Sequence, residues 1–246
     1  MTYNTINQNI TFFGTYKLKS DEVLSILNIA YGVGYRHFDL AELYKNQKEV
    51  GYFLKDKKRE DIYLTSKISF NTIKKGKSYI IESIENTLKD LGITYIDLML
   101  IHAPCENDVE CWNILTSYKE RGIIKNIGVS NYNLDRLKKF IDKVQYKEIY
   151  CNQIEYNIHL ETKQKDLIKF CKDNNIIVTA YNIFHLSENI DDKNIMLDFI
   201  RHSGVIPIIM SRNKDNMISN LEHRIYYENK KKYNNKDYTS KYSRYL

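Results

Sequence analysis

The feature that most constrains this chain is an alternation of two patterns along most of its length. Eight short apolar segments of strand length are separated by amphipathic segments of helical length. The strand segments are Thr11–Tyr16, Tyr35–Asp39, Ile62–Lys67, Tyr95–His102, Ile124–Val129, Tyr150–Glu155, Ile176–Tyr181 and Val205–Ile209. Between them, helical periodicity predicts helices over Asp21–Tyr31, Gln47–Lys55, Tyr79–Leu91, Val109–Arg121, Leu134–Lys143, Thr162–Asp173 and Asp192–His202. A last helix is expected to start near Asp215. Connections this long do not make hairpins, so the strands should run parallel. Eight such units in series favour a closed α/β barrel over an open sheet. Gly34, Gly92, Gly122 and Gly204 each follow a helical segment, where a left-handed cap costs glycine least.

At 246 residues the chain has the usual size of one such barrel and can bury a large core. We read residues 1–228 as one (β/α)8 barrel domain. Residues 229–246 read as a basic tail rich in Asn, Lys and Tyr, solvated or partly disordered. From Met217 onward there are seven Lys/Arg and three Asp/Glu, so +4 of the formal +6 lies there. The nearly neutral body has no electrostatic footprint for nucleic acid, and no such partner is expected. No apolar run reaches the roughly 18 residues of a membrane span. The first residues lack the basic and apolar regions of a secretion signal. Cys105, Cys111, Cys151 and Cys171 show neither CxxC nor zinc spacing. Reduced thiols in a cytoplasmic protein and no bound metal are therefore expected, with a monomer as the default.

The stretch from Gly34 to Gly51 carries the first chemical signal. Asp39 ends the second strand segment, and Tyr44 follows five residues later. A phenol donates its proton usefully only if something lowers its pKa from about 10. A nearby ammonium, itself held by a carboxylate, would do this. The third strand segment ends in Lys67 and the fourth in His102. Acid–base groups thus stand at the C-terminal ends of three successive strands, where such barrels hold their active sites.

Taken in order, GYRHFDLAELY, TSK, DLMLIHAP and IGVSNYN resemble the aldo-keto reductase family, with matching segments from Gly14 to Asn220. The resemblance implies a (β/α)8 TIM barrel and hydride transfer between a nicotinamide cofactor, NADPH or NADH, and a small carbonyl substrate. The family's catalytic tetrad falls on Asp39, Tyr44, Lys67 and His102. Tyr44 would be the general acid, Lys67 would lower its pKa, and Asp39 would pair with and orient Lys67. His102 would bind the carbonyl oxygen or relay a proton. Ser130, Asn131 and Gln153 match residues that bind the nicotinamide carboxamide, and Tyr181 matches the aromatic on the nicotinamide face. Ser130 and Asn131 could instead cap the helix from Leu134, a role also open to Asn133. Thr15 and Tyr16 match residues beside the reacting carbon, Thr15 on the cofactor side and Tyr16 in the substrate pocket. Asn220 keeps an adenine-contacting position, and Trp112 reads as packing.

Departures from the family pattern accompany these matches. Ala103 stands where an aromatic is common and opens one wall of the substrate pocket. The chain looks trimmed at the N-terminal hairpin, in the segment after strand 7 and at the C-terminal loop. Met210 and Asn216 replace the two cationic contacts expected at the cofactor 2′-phosphate, leaving Ser211 and Arg212 at the end of the eighth strand as candidate ligands. A carbonyl reductase is the reading these residues favour. Its alternatives are a degenerate barrel with a binding or regulatory role and an unrelated phosphate-binding barrel.

Overall fold

The computed structural model describes residues 10–185 and 190–222. The places where the chain looks trimmed at the N-terminal hairpin and the C-terminal loop, and the basic tail at 229–246, fall outside them. Eight parallel strands close into a barrel in sequence order. They are β1 Phe12–Gly14, β2 His37–Asp39, β3 Tyr63–Ile68, β4 Ile96–Ile101, β5 Ile124–Ser130, β6 Cys151–Glu155, β7 Ile177–Tyr181 and β8 Ile206–Ile209. The helices are α1 Ser20–Val33, α2 Gln47–Leu54, α3 Phe70–Ile73, α4 Lys77–Leu91, α5 Asp108–Glu120, α6 Leu134–Lys143, α7 Glu161–Asp173, α8 Ile190–His202 and α9 Lys214–Leu221. Each expected strand and helix is present, most with ends within about two residues of the periodicity. Most strands are shorter than their apolar runs, β1 most of all, whereas β3 keeps its length and β5 extends to Ser130. Thr15 leaves the sheet because Leu18 N–H turns back to its carbonyl and Lys17 takes a left-handed φ of 64°.

Alternation along each strand sorts side chains into two cores. Met99 and Ile101 of β4 face the shell of helices and join its large apolar cluster. Leu98 and Leu100 face inward with Phe12, Cys151, Ile177, Ile206 and Ile208 and fill the barrel. At Gly128 any Cβ would meet Cys151 O at 2.5 Å and Leu100 Cδ2 at 2.8 Å, so β5 presents no side chain to this crowded layer. The same parity carries the inward face to the C-terminal rim. His37 leads to Asp39, Thr65 to Lys67, Leu100 to His102, Gly128 to Ser130 and Cys151 to Gln153. A barrel plugged by aliphatic side chains thus ends in a ring of polar ones.

Candidate active site

Pairing of Gly14 with Asp39, and of Asp39 with Thr65, places the end of β2 between β1 and β3. The Asp39 carbonyl accepts the backbone N–H of Thr15 at 3.0 Å and its hydroxyl at 2.9 Å. The Asp39 carboxylate is buried, with 2% of the residue exposed. A buried carboxylate must be matched by donors, and here both oxygens are. Lys67 Nζ lies 2.6 Å from Oδ1, and Gln153 Nε2 donates to Oδ2 at 2.8 Å.

Lys67 is as deeply buried as its partner. Its ammonium has three protons and finds three acceptors: Asp39 Oδ1, Leu40 O at 2.7 Å and Tyr44 Oη at 3.2 Å. Burial draws its pKa below the ordinary lysine value, and the Asp39 charge opposes that shift. Tyr44 sits on a single 3₁₀ turn, Glu42–Tyr44, closed by Lys45 in the left-handed region. Its ring lies 5.1 Å from that of Tyr16 and 6.1 Å from that of His102. Burial, and then the Lys67 charge, push the His102 pKa down to about 3, so the imidazole is neutral at physiological pH. Its Nδ1 is buried and has no hydrogen-bond partner among the described residues.

A cavity of about 430 Å³ opens above this cluster. Asp39, Tyr44, His102, Tyr16, Ala103, Ser130, Asn131, Gln153 and Tyr181 all line it, with Lys67 beneath. Ser130 Oγ donates to Gln153 O at 2.9 Å. Asn131, at φ 63°, donates from Nδ2 to His102 O at 3.0 Å and accepts the Tyr181 hydroxyl on Oδ1 at 2.6 Å. The wall expected to hold a carboxamide is therefore a connected set of amide, hydroxyl and phenol groups. The capping alternative falls away, because Asn133 Oδ1 caps α6 by accepting Arg136 N–H at 2.9 Å.

Thr15, Ser211, Arg212 and Asn220 do not line this cavity. The Thr15 hydroxyl is committed to Asp39, and the Asn220 carbonyl accepts from Arg201 at 2.7 Å. Arg212 forms a bidentate pair with Glu22, Nε to Oε2 at 2.8 Å and Nη2 to Oε1 at 2.6 Å, and also bonds Lys17 O. The Arg212 hydrogen bond holds the Glu22 carboxyl down to about 2. The guanidinium expected to be open to an anion already has an internal carboxylate.

The wall also contains Lys17, Leu43, Phe70, Asn182, Ile208 and Met210, which sequence reasoning did not assign to the site. Strand parity alone points to Ile208 and Met210. Phe70 opens α3, too short to leave a periodic trace. Trp112 is fully buried and donates to Tyr146 O, in keeping with packing. A second hollow, of about 550 Å³, lies between the C-terminal ends of α2 and α4 and holds none of these groups.

Sequence and structure comparisons give one answer. Residues 11–238 match the model of the aldo/keto reductase family. Over 201 residues the chain is 33% identical to prostaglandin F synthase 1 of Bos taurus, covering 69% of this chain and 61% of that protein. The chain thus spans less than two thirds of that relative's length. Over 229 residues it is 30% identical to the methylglyoxal reductase DkgB of Escherichia coli O157:H7, covering 85% of this chain and 84% of that one. An aldo/keto reductase from Brucella melitensis superposes with a TM-score of 0.79 at 28% identity, over 88% of each chain. The Bombyx mori aldo-keto reductase in complex with NADP gives 0.77 at 25% identity, over 87% of this chain and 83% of that one.

Proposed function

We propose that this chain, which belongs to the aldo/keto reductase family, reduces the carbonyl group of small aldehydes or ketones with NADPH or NADH. The observation that carries the reading is the buried chain Asp39–Lys67–Tyr44, with contacts of 2.6 and 3.2 Å, opening directly into a cavity. The polar wall of Ser130, Asn131 and Gln153, with Tyr181 beside it, fits a nicotinamide carboxamide in the chemistry of its donors and acceptors. When bound, the coenzyme supplies a hydride to the carbonyl carbon. The protein supplies the proton. Tyr44 Oη donates it to the carbonyl oxygen as negative charge develops there. Lys67 stands behind the phenol and favours the tyrosinate left by that transfer. Asp39 and Gln153 hold Lys67 in line. Neutral His102 offers an uncharged hydrogen bond to the carbonyl oxygen and does not compete for the Tyr44 proton.

Ala103, Leu43, Phe70, Ile208 and Met210 give the cavity an apolar side suited to a small organic carbonyl compound. A degenerate, non-catalytic barrel would have no need to keep an ion pair buried beneath a phenol. We also take the protein to be a cytoplasmic monomer without nucleic-acid or membrane partners. The four cysteines are free, and no helix among the described residues is long and apolar enough to cross a membrane.

Tyr44→Phe tests the role of the phenol. It should lower turnover of a reactive aldehyde by about 10²–10⁴-fold, with nucleotide binding nearly intact, because the proton matters only in the transition state. Turnover equal to the parent enzyme would end the assignment.

A further inference from the structure

We propose that Glu42 is a positioning residue that sets Tyr44 against Lys67, an inference that rests on Tyr44 acting as the general acid. The Glu42–Tyr44 turn buries none of its residues. Its own bonds are Tyr44 N–H to Ala41 O at 3.0 Å and Lys45 N–H to Glu42 O at 3.3 Å. One turn of 3₁₀ helix is poorly held by backbone bonds alone.

The Glu42 side chain supplies what the backbone lacks. Oε2 accepts the backbone N–H of Ser69 at 2.9 Å, and Oε1 accepts the Thr72 hydroxyl at 2.5 Å. Both partners are at least nine-tenths buried, so water competes little for these bonds. Being charge-assisted, they are stronger than neutral ones. Ser69 and Thr72 are bonded to each other as well: the Ser69 hydroxyl donates to Thr72 Oγ1 and accepts Thr72 N–H, capping α3.

Ser69 lies two residues beyond Lys67. One carboxylate therefore ties the turn bearing the acid to the segment bearing the ammonium. Phe70, held by the same cap, is a wall of the cavity. On the other side, Asn46 Nδ2 donates to Thr15 O at 2.9 Å and Leu18 O at 3.3 Å. Without Glu42 the turn loses its bonds to Ser69 and Thr72, and on the β3 side the bonds of Leu40 to Thr65 and Lys67 hold the chain just before it, with the 3.2 Å contact of Tyr44 itself. The 3.2 Å contact between Tyr44 and Lys67 is at the long end of a hydrogen bond, so a small lateral shift breaks it.

The test compares Glu42→Ala, Glu42→Gln, Tyr44→Phe and the parent enzyme. It measures kcat and KM for a reactive aldehyde across pH, titration of the reduced nucleotide, and amide exchange at Ser69. Misplacing a catalytic group by about 1 Å costs about 10²-fold, so Glu42→Ala should lower kcat by about 10–10²-fold. A phenol farther from the ammonium keeps its proton to higher pH, so the basic limb of the kcat profile should move upward. Loss of fold alone would not move that limb. The Ser69 amide should exchange faster and nucleotide affinity should be unchanged. Glu42→Gln retains an acceptor for Ser69 and should recover part of kcat. Parent-like kcat and an unmoved limb in Glu42→Ala, with the Ser69 amide exchanging freely, would overturn the proposal. Equal turnover by the parent enzyme and Tyr44→Phe would instead overturn the general-acid reading, and this inference with it.

Discussion

Asp39→Asn is the sharpest single probe of the site, because its cost can be worked out from the contacts. Asp39 accepts from two different groups, Lys67 Nζ and Gln153 Nε2. Asn has one acceptor oxygen and one donor nitrogen; Gln153 can turn its own amide to accept from that nitrogen, but the Lys67 ammonium has only protons to offer and needs the oxygen. If Lys67 faces the oxygen, its buried ammonium still has no counter-charge. Breaking a buried pair in this way costs about 3–5 kcal/mol. Lys67 has another way out, which is to lose its proton. At pH 7, deprotonating a lysine of ordinary pKa costs about 4.6 kcal/mol. The two routes cost about the same, so at pH 7 the variant should be less stable by about 3–5 kcal/mol.

The routes differ in their response to pH. A lysine neutral in the folded variant is charged in the unfolded chain, which then binds more protons, so stability rises with pH up to the ordinary lysine value. The gain approaches about 1.36 kcal/mol per pH unit, or about 2.7 kcal/mol between pH 7 and 9. Urea unfolding of both proteins at those two pH values measures the difference. Turnover should fall with the lost ammonium, by about 10–10²-fold, while nucleotide still binds. A variant that loses less than about 1 kcal/mol at pH 7 and gains nothing at pH 9 would show that Lys67 needs no charged partner.

Two further tests address cofactor choice and acid stability. With Arg212 engaged by Glu22, preference for NADPH over NADH should be no more than about tenfold, or roughly 1.4 kcal/mol; Glu22→Gln should raise it and Arg212→Ala lower it. Titration of both reduced nucleotides at fixed ionic strength measures this, and a preference of about a hundredfold or more that survives Arg212→Ala would mean that other groups hold the phosphate. His37, stacked on Phe12 and packed against Tyr63, has its pKa lowered by burial to about 4. The unfolded chain therefore takes up this proton first, and stability should fall by up to about 3 kcal/mol as pH drops from about 6.5 to 4. In His37→Gln that part of the acid loss should vanish, and an unchanged slope in urea unfolding would refute the assignment.

The barrel was readable in the sequence because both of its periods are local. A strand such as Ile96–Ile101 announces itself within six residues, and α4 within a few turns. Strand parity then carries Lys67 and His102 to the rim. Asp39–Lys67 could be anticipated because each group ends an apolar run. Other contacts leave no such trace. Gln153 reaches Asp39 across 114 residues, and Arg212 reaches Glu22 across 190. Nothing near either residue marks its partner, so Gln153 and Arg212 read only as ligands for something else. Glu42 was equally silent, since its role depends on α3, a helix of four residues.

The barrel is sealed by pairing Phe12 and Phe13 of β1 with Ile208 and Ile209 of β8. For a chain made from its N-terminus, this seam sets an order of events. The bonding edge of β1 that belongs to β8 waits, without its partner, until nearly two hundred more residues have left the ribosome. Throughout synthesis the growing sheet has two open edges, each able to pair with the wrong strand or with another nascent chain. The polar rim waits as well, because Met210 and Ile208 in the cavity wall arrive with β8. Slow delivery of β8 therefore prolongs the exposure, and the interval before that strand emerges is the one in which the open edges are most at risk.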